Sequence, residues 1–314
     1  MGVGIYFRET RPQFLLLTPV CVSIGVGTAA WVKGGLGALP WGYVILAFVG
    51  ALCAHIATNV LNDYFDFTSG LDLKTRPTPF SGGSGILPRG LMSSHKALIF
   101  GLAALGLTAA IGIFFWAVRG WGILPLGLVG ILLVIFYSPW VTKHPILCLL
   151  APGLGFGPLM VMGTHYVLVG RYDGVALLAS LIPGLLVSNL LLLNQFPDVE
   201  ADASVNRRHI PIIFGRTASA WLYAAFAVGA FLWVALASIL GYFPAGALIA
   251  LLFLPLALGT VKGVIQNAEQ IKRLVPYLGK NVIYTLATPL LLGIGFMCSD
   301  FLIRLIVEAI RLIV

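Results

Sequence analysis

Long apolar segments dominate the chain, and short turns containing Gly, Pro or charged residues separate them. A membrane-spanning helix needs about 20 mostly apolar residues. Nine segments approach that length: residues 14–31, 41–61, 97–117, 121–137, 146–169, 175–193, 217–240, 245–261 and 282–299. The pattern therefore predicts an all-α fold, a polytopic membrane bundle of nine transmembrane helices that forms one integral-membrane domain over residues 1–314.

The two ends of the chain carry their own signals. The first apolar run has no small-residue cleavage site and eight more runs follow it, so it is predicted to be a membrane anchor rather than a signal peptide. After the ninth run, Arg304, Glu308 and Arg311 recur at helical spacing among apolar residues. The segment 301–314 is therefore predicted to be an amphipathic interfacial helix or an extension of the ninth span.

Composition excludes several classes of protein. Hydrophobic residues make up 59% of the 314 residues and charged residues only 10%, whereas an ordinary soluble domain has about 25% charged residues. A water-soluble enzyme and a disordered protein are excluded. The net charge of +8 is not gathered into basic runs, which favours membrane orientation and anionic lipid over nucleic acid as its cause. The four cysteines lack metal-ligand spacing and are predicted to be small buried hydrophobes.

The basic residues predict the orientation of the chain. With nine spans, 14 of the 19 Lys and Arg residues lie on the side that holds the N-terminus. The positive-inside rule places that side in the cytoplasm, and we expect the inner membrane of a prokaryotic cell. Two long loops, Asn62–Lys96 and Asn194–Arg216, lie on the same side and hold six of the 11 acidic residues. The functional surface is therefore predicted to be a cytoplasmic cap that carries the active site.

Two acidic motifs end the second and sixth spans. Asn62 and Asp66 are four residues apart, and so are Asn194 and Asp198, with a common offset of 132 residues that indicates a weak internal repeat. Residues i and i+4 share a helix face, so Asn62 can point with Asp66, and Asp198 with Asp202. Carboxylates gathered at a membrane boundary repel one another, and an oxygen-only ligand set selects Mg²⁺. These five residues are candidate metal ligands, and the alternative is solvated carboxylates on ordinary loops.

Basic and hydroxyl residues at other span ends suggest an anionic partner. Arg11, Lys143 and Arg208 lie close to span ends and are candidate ligands of a diphosphate, although residues that only set topology have the same pattern. Tyr137 and Ser138 end the fourth span on the same side, where a tyrosine also serves as an interfacial anchor.

Three further features, one Gly-rich segment and two histidines, each allow two interpretations. The Gly-rich segment of residues 81–85 is either a flexible linker or a mobile lid over a phosphate. His55 and His165 lie within apolar spans without ligand spacing. They are predicted to be hydrogen-bonded residues of the bundle interior, with a role in a substrate pocket as the alternative.

These motifs resemble those of the UbiA superfamily of intramembrane prenyltransferases, which have nine transmembrane helices and Asp-rich motifs after helices two and six. The matching positions are Asn62, Asp63, Asp66 and Asp72, then Asp198 and Asp202, then Tyr137, Ser138 and Lys143, and Arg11 with Pro12. Within the superfamily, the run Asn62-Asp63-Tyr64 with Asp66, Gly70 and Asp72 is most similar to the menaquinone branch. The chain departs from that branch at residues 76–83, where a Gly-Pro-x-Arg element is usual.

The resemblance implies Mg²⁺-dependent transfer of a polyprenyl group from polyprenyl diphosphate to an aromatic acceptor within membrane lipid. The acceptor it implies is 1,4-dihydroxy-2-naphthoate, in menaquinone biosynthesis, with 4-hydroxybenzoate or another acceptor of the superfamily as the alternative. The metal ligands would be the five residues above. Arg11, Ser138, Lys143 and Arg208 would bind the diphosphate, while Asp63, Asp72 and Tyr137 would be catalytic, with Asp63 or Asp72 orienting or deprotonating the acceptor.

Two other classes compete with this hypothesis. A secondary transporter also has many spans and internal repeats, but it places its binding residues near the bilayer midplane, whereas the acidic residues here lie at span ends. A phosphotransferase that makes phospholipid head-groups crowds its acidic residues into one segment, whereas this chain divides them between two loops.

Overall fold

The computed structural model describes residues 2–74 and 83–299, and within these ranges the chain is helical and contains no strand. The main helices are α1 (Pro12–Lys33), α2 (Trp41–Thr68), α3 (Ser94–Arg119), α4 (Ile123–Phe136), α5 (Pro145–Val169), α6 (Gly174–Asn194), α7 (Ile210–Ile239), α8 (Ala245–Asn267) and α9 (Ile271–Met297). All except α4 are long and apolar enough to cross a membrane. The all-helical membrane fold is confirmed. A ninth crossing stays a prediction, because the 14 residues of α4 span only about 21 Å.

Four helices extend well beyond their predicted limits. Helix α2 continues from residue 61 to Thr68 and α8 from residue 261 to Asn267, while α7 begins at Ile210 rather than 217 and α9 at Ile271 rather than 282. Hydropathy fails to detect these turns because they carry polar and charged residues that sit at the ends of the bundle. Within α7, Gly215 has a non-helical backbone (φ 79°), so its first turn, residues 210–214, is set off from the rest of the helix. The predicted helix at 301–314 lies outside the described residues.

Close contacts between helices depend on small residues. Consecutive helices pack together, and α9 packs against α1 to close the bundle. A Cβ atom at Gly27 would lie 2.6 Å from the carbonyl oxygen of Gly293, so only glycine allows α1 and α9 to approach this closely. Helix α5 meets α6 through Gly153 and Gly157, spaced by four residues, as in other membrane helix pairs.

Helix α5 also changes its winding where it faces the bundle interior. Residues Gly155–Met162 form π-helical turns, and this segment contains Pro158, which has no backbone N–H to donate. The wider turns shift the side chains of this segment relative to a regular α-helix. This part of α5 faces the interior cavity described below.

We predict that Gly153→Ala destabilises the bundle, because the new Cβ would lie 2.2 Å from the carbonyl oxygen of Gly184. Overpacking of this kind costs about 1–3 kcal/mol, and the unfolding temperature in detergent should fall by several degrees. Gly229→Ala on α7 is the matched control, since no atom of a neighbouring helix lies within 4 Å of the position that its Cβ would take. That change should be neutral or stabilising, because alanine favours helix over glycine by about 1 kcal/mol. Equal unfolding temperatures for the two variants would contradict the prediction.

Candidate active site

A cavity of about 700 Å³ lies inside the bundle, between α1, α2, α3, α4, α5 and α6. Most of its polar lining, and all of its charged lining, lies at one end of the bundle, here called the acidic end, where α2, α4 and α6 terminate and α1 and α7 begin. The polar residues at this end include Arg11, Asn62, Asp66, Asp72, Tyr137, Asn194, Asp198, Asp202, Arg207 and His209. Along α2 the lining runs from Asp66 back to Ala47, which is about 28 Å of helix and nearly the thickness of a bilayer core.

The first acidic motif occupies the last turns of α2. Asn62 and Asp66 both line the cavity, and the amide of Asn62 donates a hydrogen bond of 2.9 Å to the hydroxyl of Ser138. The carbonyl of Asp66 accepts hydrogen bonds from the backbone N–H groups of Leu71 (3.0 Å) and Asp72 (3.3 Å). The chain therefore folds back after the helix and brings Asp72 to the cavity. Burial, with the neighbouring charge of Asp66, raises the pKa of the Asp72 carboxyl to about 7.

The second acidic motif continues past the end of α6. Asn194 is the last residue of that helix, and Asp198 caps a short helix, Val199–Ala203, that carries Asp202. The backbone N–H of Asp202 donates to the carbonyl of Asp198 (2.8 Å), so the two residues are one helical turn apart, as their spacing predicts. The side-chain oxygen of Asn194 is buried and has no hydrogen-bond partner among residues 2–74 and 83–299.

Arg207 joins the two motifs. Its guanidinium forms ion pairs with Asp66 and, at 3.1 Å, with Asp202, whose other carboxylate oxygen lies 2.9 Å from Nε2 of His209. Burial disfavours the charged guanidinium, but the two carboxylates outweigh it and raise the pKa of Arg207 above its ordinary value. The side chain is only 17% exposed. One buried cation thus neutralises an acidic residue from each half of the chain.

The sequence analysis selected the neighbouring Arg208, as a candidate ligand of a diphosphate. Arg208 is exposed and does not line the cavity, and its backbone N–H donates to the carbonyl of Thr142 (3.1 Å). Asn206 precedes the pair with a left-handed backbone (φ 62°), which helps to decide which arginine turns inward. Charge and spacing alone did not contain that information, and His209 gave no sequence signal at all.

Arg11 is held at the cavity by a second group of ion pairs and hydrogen bonds. It pairs with Asp63, which also accepts a hydrogen bond from the backbone N–H of Ser84 (2.8 Å). The hydroxyl of Ser84 donates to the buried carboxylate of Glu9 (2.8 Å), a residue that the sequence analysis missed. Asp63 is 1% exposed and does not line the cavity. The structure places it as the partner of Arg11, and its role toward an acceptor stays a prediction.

The end of the Gly-rich segment fits into this group. Gly83 has a left-handed backbone (φ 72°), and a Cβ there would lie 3.2–3.3 Å from side-chain atoms of Asp63, Asp72 and Arg11. Residues 81 and 82 lie outside the described residues, so the choice between a linker and a lid stays open. Gly83 itself lines the cavity mouth.

Two predicted diphosphate ligands line a different space. Ser138 and Lys143 face a smaller cavity of about 260 Å³, which shares Asp66, Thr142 and Arg207 with the larger one. The bridge between Asp66 and Arg207 therefore separates the two spaces. Tyr137, by contrast, lines the larger cavity directly.

The oxygen-rich lining suits a magnesium ion. In the part of the chain that the structure describes, no group of three or more His, Cys, Asp or Glu side chains is close enough to hold a metal ion. Mg²⁺ typically takes one or two carboxylates and completes its shell with water and substrate phosphate, so a denser cluster is not required. The orphaned buried oxygen of Asn194 and the two acidic motifs on one cavity fit that pattern.

The fold is that of an integral membrane protein, and its cavity has a charged end and a long apolar wall. The chain belongs to the UbiA prenyltransferase family, which it matches over residues 19–276, and it is a membrane prenyltransferase. The alternatives of a transporter and a head-group phosphotransferase are thereby set aside.

Relatives and solved structures agree with this membership. The 1,4-dihydroxy-2-naphthoate octaprenyltransferase of Bacillus subtilis is 27% identical over 275 residues, which cover 86% of this chain and 85% of that protein. The digeranylgeranylglyceryl phosphate synthase of Thermococcus kodakarensis is 28% identical over 237 residues, covering 73% and 75% of the two chains. A UbiA homolog from Archaeoglobus fulgidus, solved with GPP and Mg²⁺, shares the fold with a TM-score of 0.63 at 14% identity, over 93% of this chain and 99% of that one.

We predict that Arg207→Ala destabilises the protein, because Asp66 and Asp202 would face the cavity without their cation. Breaking a buried ion pair by removing one partner costs about 3 kcal/mol, and the unfolding temperature in detergent should fall accordingly. Added Mg²⁺ should restore part of the loss. Arg208→Ala removes an exposed arginine one residue away and should leave the unfolding temperature unchanged. The idea fails if the two variants unfold at the same temperature.

Proposed function

We propose that the protein transfers a polyprenyl group from polyprenyl diphosphate to 1,4-dihydroxy-2-naphthoate in a reaction that requires Mg²⁺. The observation that carries the proposal is the shape of one cavity, with both acidic motifs and two arginines at its mouth and about 28 Å of mostly apolar wall below them. A prenyl diphosphate has the same division, with its charge at one end and a hydrocarbon chain behind it. We expect the acidic end to face the cytoplasm, as the charge bias predicts.

The reaction breaks the allylic C–O bond and forms a C–C bond to the aromatic ring. The leaving diphosphate keeps the bonding electrons, and the ring carbon attacks the allylic cation. The ring then loses the proton on that carbon or, where the carbon bears a carboxylate, CO₂, and the bonding electrons return to the ring to restore aromaticity. Bound Mg²⁺ would neutralise charge on the leaving diphosphate, held by Asn62, Asp66, Asn194, Asp198 and Asp202.

The remaining residues of the mouth assist the donor. Arg11 reaches the cavity and can bind the diphosphate oxygens, as can Arg207. Ser138 and Lys143 extend the polar surface on the far side of the Asp66–Arg207 bridge, and a role for the exposed Arg208 stays a prediction. The apolar wall keeps water from the allylic cation, which water would otherwise trap as an alcohol.

The positions of Asp72 and Asp63 suggest a different role for each, which their spacing in the sequence could not distinguish. Asp72 lines the cavity and can orient the acceptor or receive its proton, and Tyr137 lines the same cavity. Asp63 is buried against Arg11 and Ser84, so we assign it the positioning of Arg11.

The choice of acceptor follows the relatives. Five curated relatives carry the name 1,4-dihydroxy-2-naphthoate octaprenyltransferase, at 24–27% identity. The archaeal relative at 28% identity is named for a glycerol lipid product instead. The alternatives are therefore 4-hydroxybenzoate, another aromatic acceptor of the family, or a prenylglyceryl phosphate.

The test is a transfer assay with the purified full chain in lipid nanodiscs. Octaprenyl diphosphate is offered with 1,4-dihydroxy-2-naphthoate, 4-hydroxybenzoate or geranylgeranylglyceryl phosphate, in Mg²⁺ and in EDTA. We expect product from the naphthoate, none in EDTA, and a loss of about 100-fold or more in kcat for Asp198→Ala. Product from another acceptor alone would show that the proposed acceptor is wrong and that the reaction class is right. Full turnover in EDTA would show that the reaction does not require Mg²⁺.

The roles proposed for Asp72 and Asp63 predict different effects of their substitution on kcat and on the donor KM. Asp72→Asn should lower kcat by about 100-fold and leave the donor KM nearly unchanged, because the group acts on the acceptor. Asp63→Asn should instead raise the donor KM by about tenfold, since Arg11 loses the carboxylate that holds it at the diphosphate. Both are measured by varying the donor at saturating acceptor. An equal change of kcat and KM in the two variants would show that the roles are not separate.

A further inference from the structure

A histidine lies deep in the cavity, well below the acidic end. His55 is seven residues before Asn62 on α2, which places it about 10 Å further into the bundle. Its side chain lines the cavity although the residue is only 5% exposed. The ring of Phe156, at the start of the π-helical turns of α5, meets the imidazole edge-on with centroids 4.7 Å apart. The orientation of the imidazole is therefore fixed by its surroundings.

One nitrogen of His55 has a partner and the other does not. Nδ1 lies 2.9 Å from the hydroxyl oxygen of Thr18 on α1. Within residues 2–74 and 83–299, the Thr18 hydroxyl is fully buried and has no other partner, so its single proton goes to Nδ1. Nε2 must then carry the ring proton, and it has no partner within the same residues. A cavity-lining side chain thus carries an N–H donor without a partner among the described residues.

His165 is a second buried histidine, which has a structural role and serves as a comparison for His55. Its Nδ1 also meets a threonine, Thr28, at 3.0 Å, but its Nε2 lies 3.0 Å from the carboxylate of Asp173. It is fully buried and does not line the cavity. A buried donor without a partner is unfavourable, and the fold supplies the second partner for His165 but not for His55.

Hydroxyl groups near His55 are satisfied by the helices themselves. Thr58 donates to the carbonyl of Ala54 (2.9 Å), and Thr108 donates to that of Ala104 (3.1 Å). They line the same cavity but have used their protons. Unlike these two hydroxyls, the N–H of His55 is free to donate a hydrogen bond to a bound molecule.

The occupant must bring an oxygen to this depth. A prenyl chain is hydrocarbon and would leave the N–H unpaired, and the diphosphate is bound at the mouth, about two helical turns away. The aromatic acceptor must lie next to the allylic carbon, just below the diphosphate, and it carries hydroxyl and carboxylate oxygens. Gly50, Ala51 and Ala54 line the wall beside His55, and their small side chains leave room for a flat ring.

We infer that Nε2–H of His55 donates a hydrogen bond to a hydroxyl or carboxylate oxygen on the ring of the aromatic acceptor and so determines how the acceptor is held. This assignment rests on the proposed function, because it needs an aromatic acceptor in the cavity. It adds a residue that binds the acceptor from below, opposite Asp72 at the mouth. Thr18 acts through His55 as a positioning residue.

The test compares KM values for acceptor and donor in four variants of the full chain. His55→Leu should raise the acceptor KM by about tenfold or more and leave the donor KM within about twofold. His55→Gln keeps an N–H donor and should recover most of the affinity. Thr18→Val does not alter the cavity lining, frees the imidazole to move its proton to Nδ1, and should raise the acceptor KM. His165→Gln, the matched control, should leave both KM values unchanged.

Several results would overturn the assignment. A lower donor KM in His55→Leu would show that the histidine contacts the prenyl chain. A glutamine variant as poor as the leucine variant, or an unchanged acceptor KM in both, would show that the N–H is not used. Protection from thermal unfolding by the acceptor alone gives a second readout, which should be lost in His55→Leu and kept in His165→Gln. If the wild type transfers to no aromatic acceptor, the proposed function fails first and this assignment falls with it.

Discussion

The need to neutralise buried carboxylates at a membrane boundary determines how the acidic end is built. Asp66 and Asp202 come from opposite halves of the chain and are both mostly buried. Isolated charges in such a place are costly, so each must be paired or must bind a cation. Arg207 pairs with both, and Arg11 pairs with the buried Asp63. The mouth of the cavity is therefore held together by charges that face inward.

These pairs depend on backbone conformations that only local structure can supply. Arg11 precedes α1 with a left-handed backbone (φ 53°, ψ 63°), a conformation that costs a non-glycine residue about 1–3 kcal/mol. The ion pair with Asp63 offsets part of that cost and points the guanidinium at the cavity. The chain between Asn194 and Asp202 leaves one helix and starts another within a few residues. The functional groups thus lie on helix ends, where the backbone can turn side chains inward without breaking the apolar walls.

Much of this arrangement could be predicted from the sequence, and the limits have physical causes. Apolar runs predicted the helices well, because a membrane requires continuous apolar length, but they missed the polar ends of α2, α7, α8 and α9. Four-residue spacing predicted that Asn62 and Asp66 share a face, since both lie on one helix. Spacing could not choose Arg207 over Arg208, and it could not find Glu9 or His209, whose positions depend on tertiary packing. The roles of Asp63 and Asp72 differ because one is buried and the other lines the cavity, which no linear motif expresses.

The two ends of the cavity place opposite demands on the same helices. In the proposed reaction, the mouth must offer charge to a diphosphate, while the walls below must exclude water from an allylic cation and still bind a polar aromatic ring. A deep wall that is entirely apolar would exclude water but could not orient the ring. A wall with several free polar groups would bring water to the cation. The hydroxyls of Thr58 and Thr108 bond to their own helix, while Nε2–H of His55 has no partner among residues 2–74 and 83–299. This suits both demands, because few free donors can orient a ring without supporting a chain of water molecules.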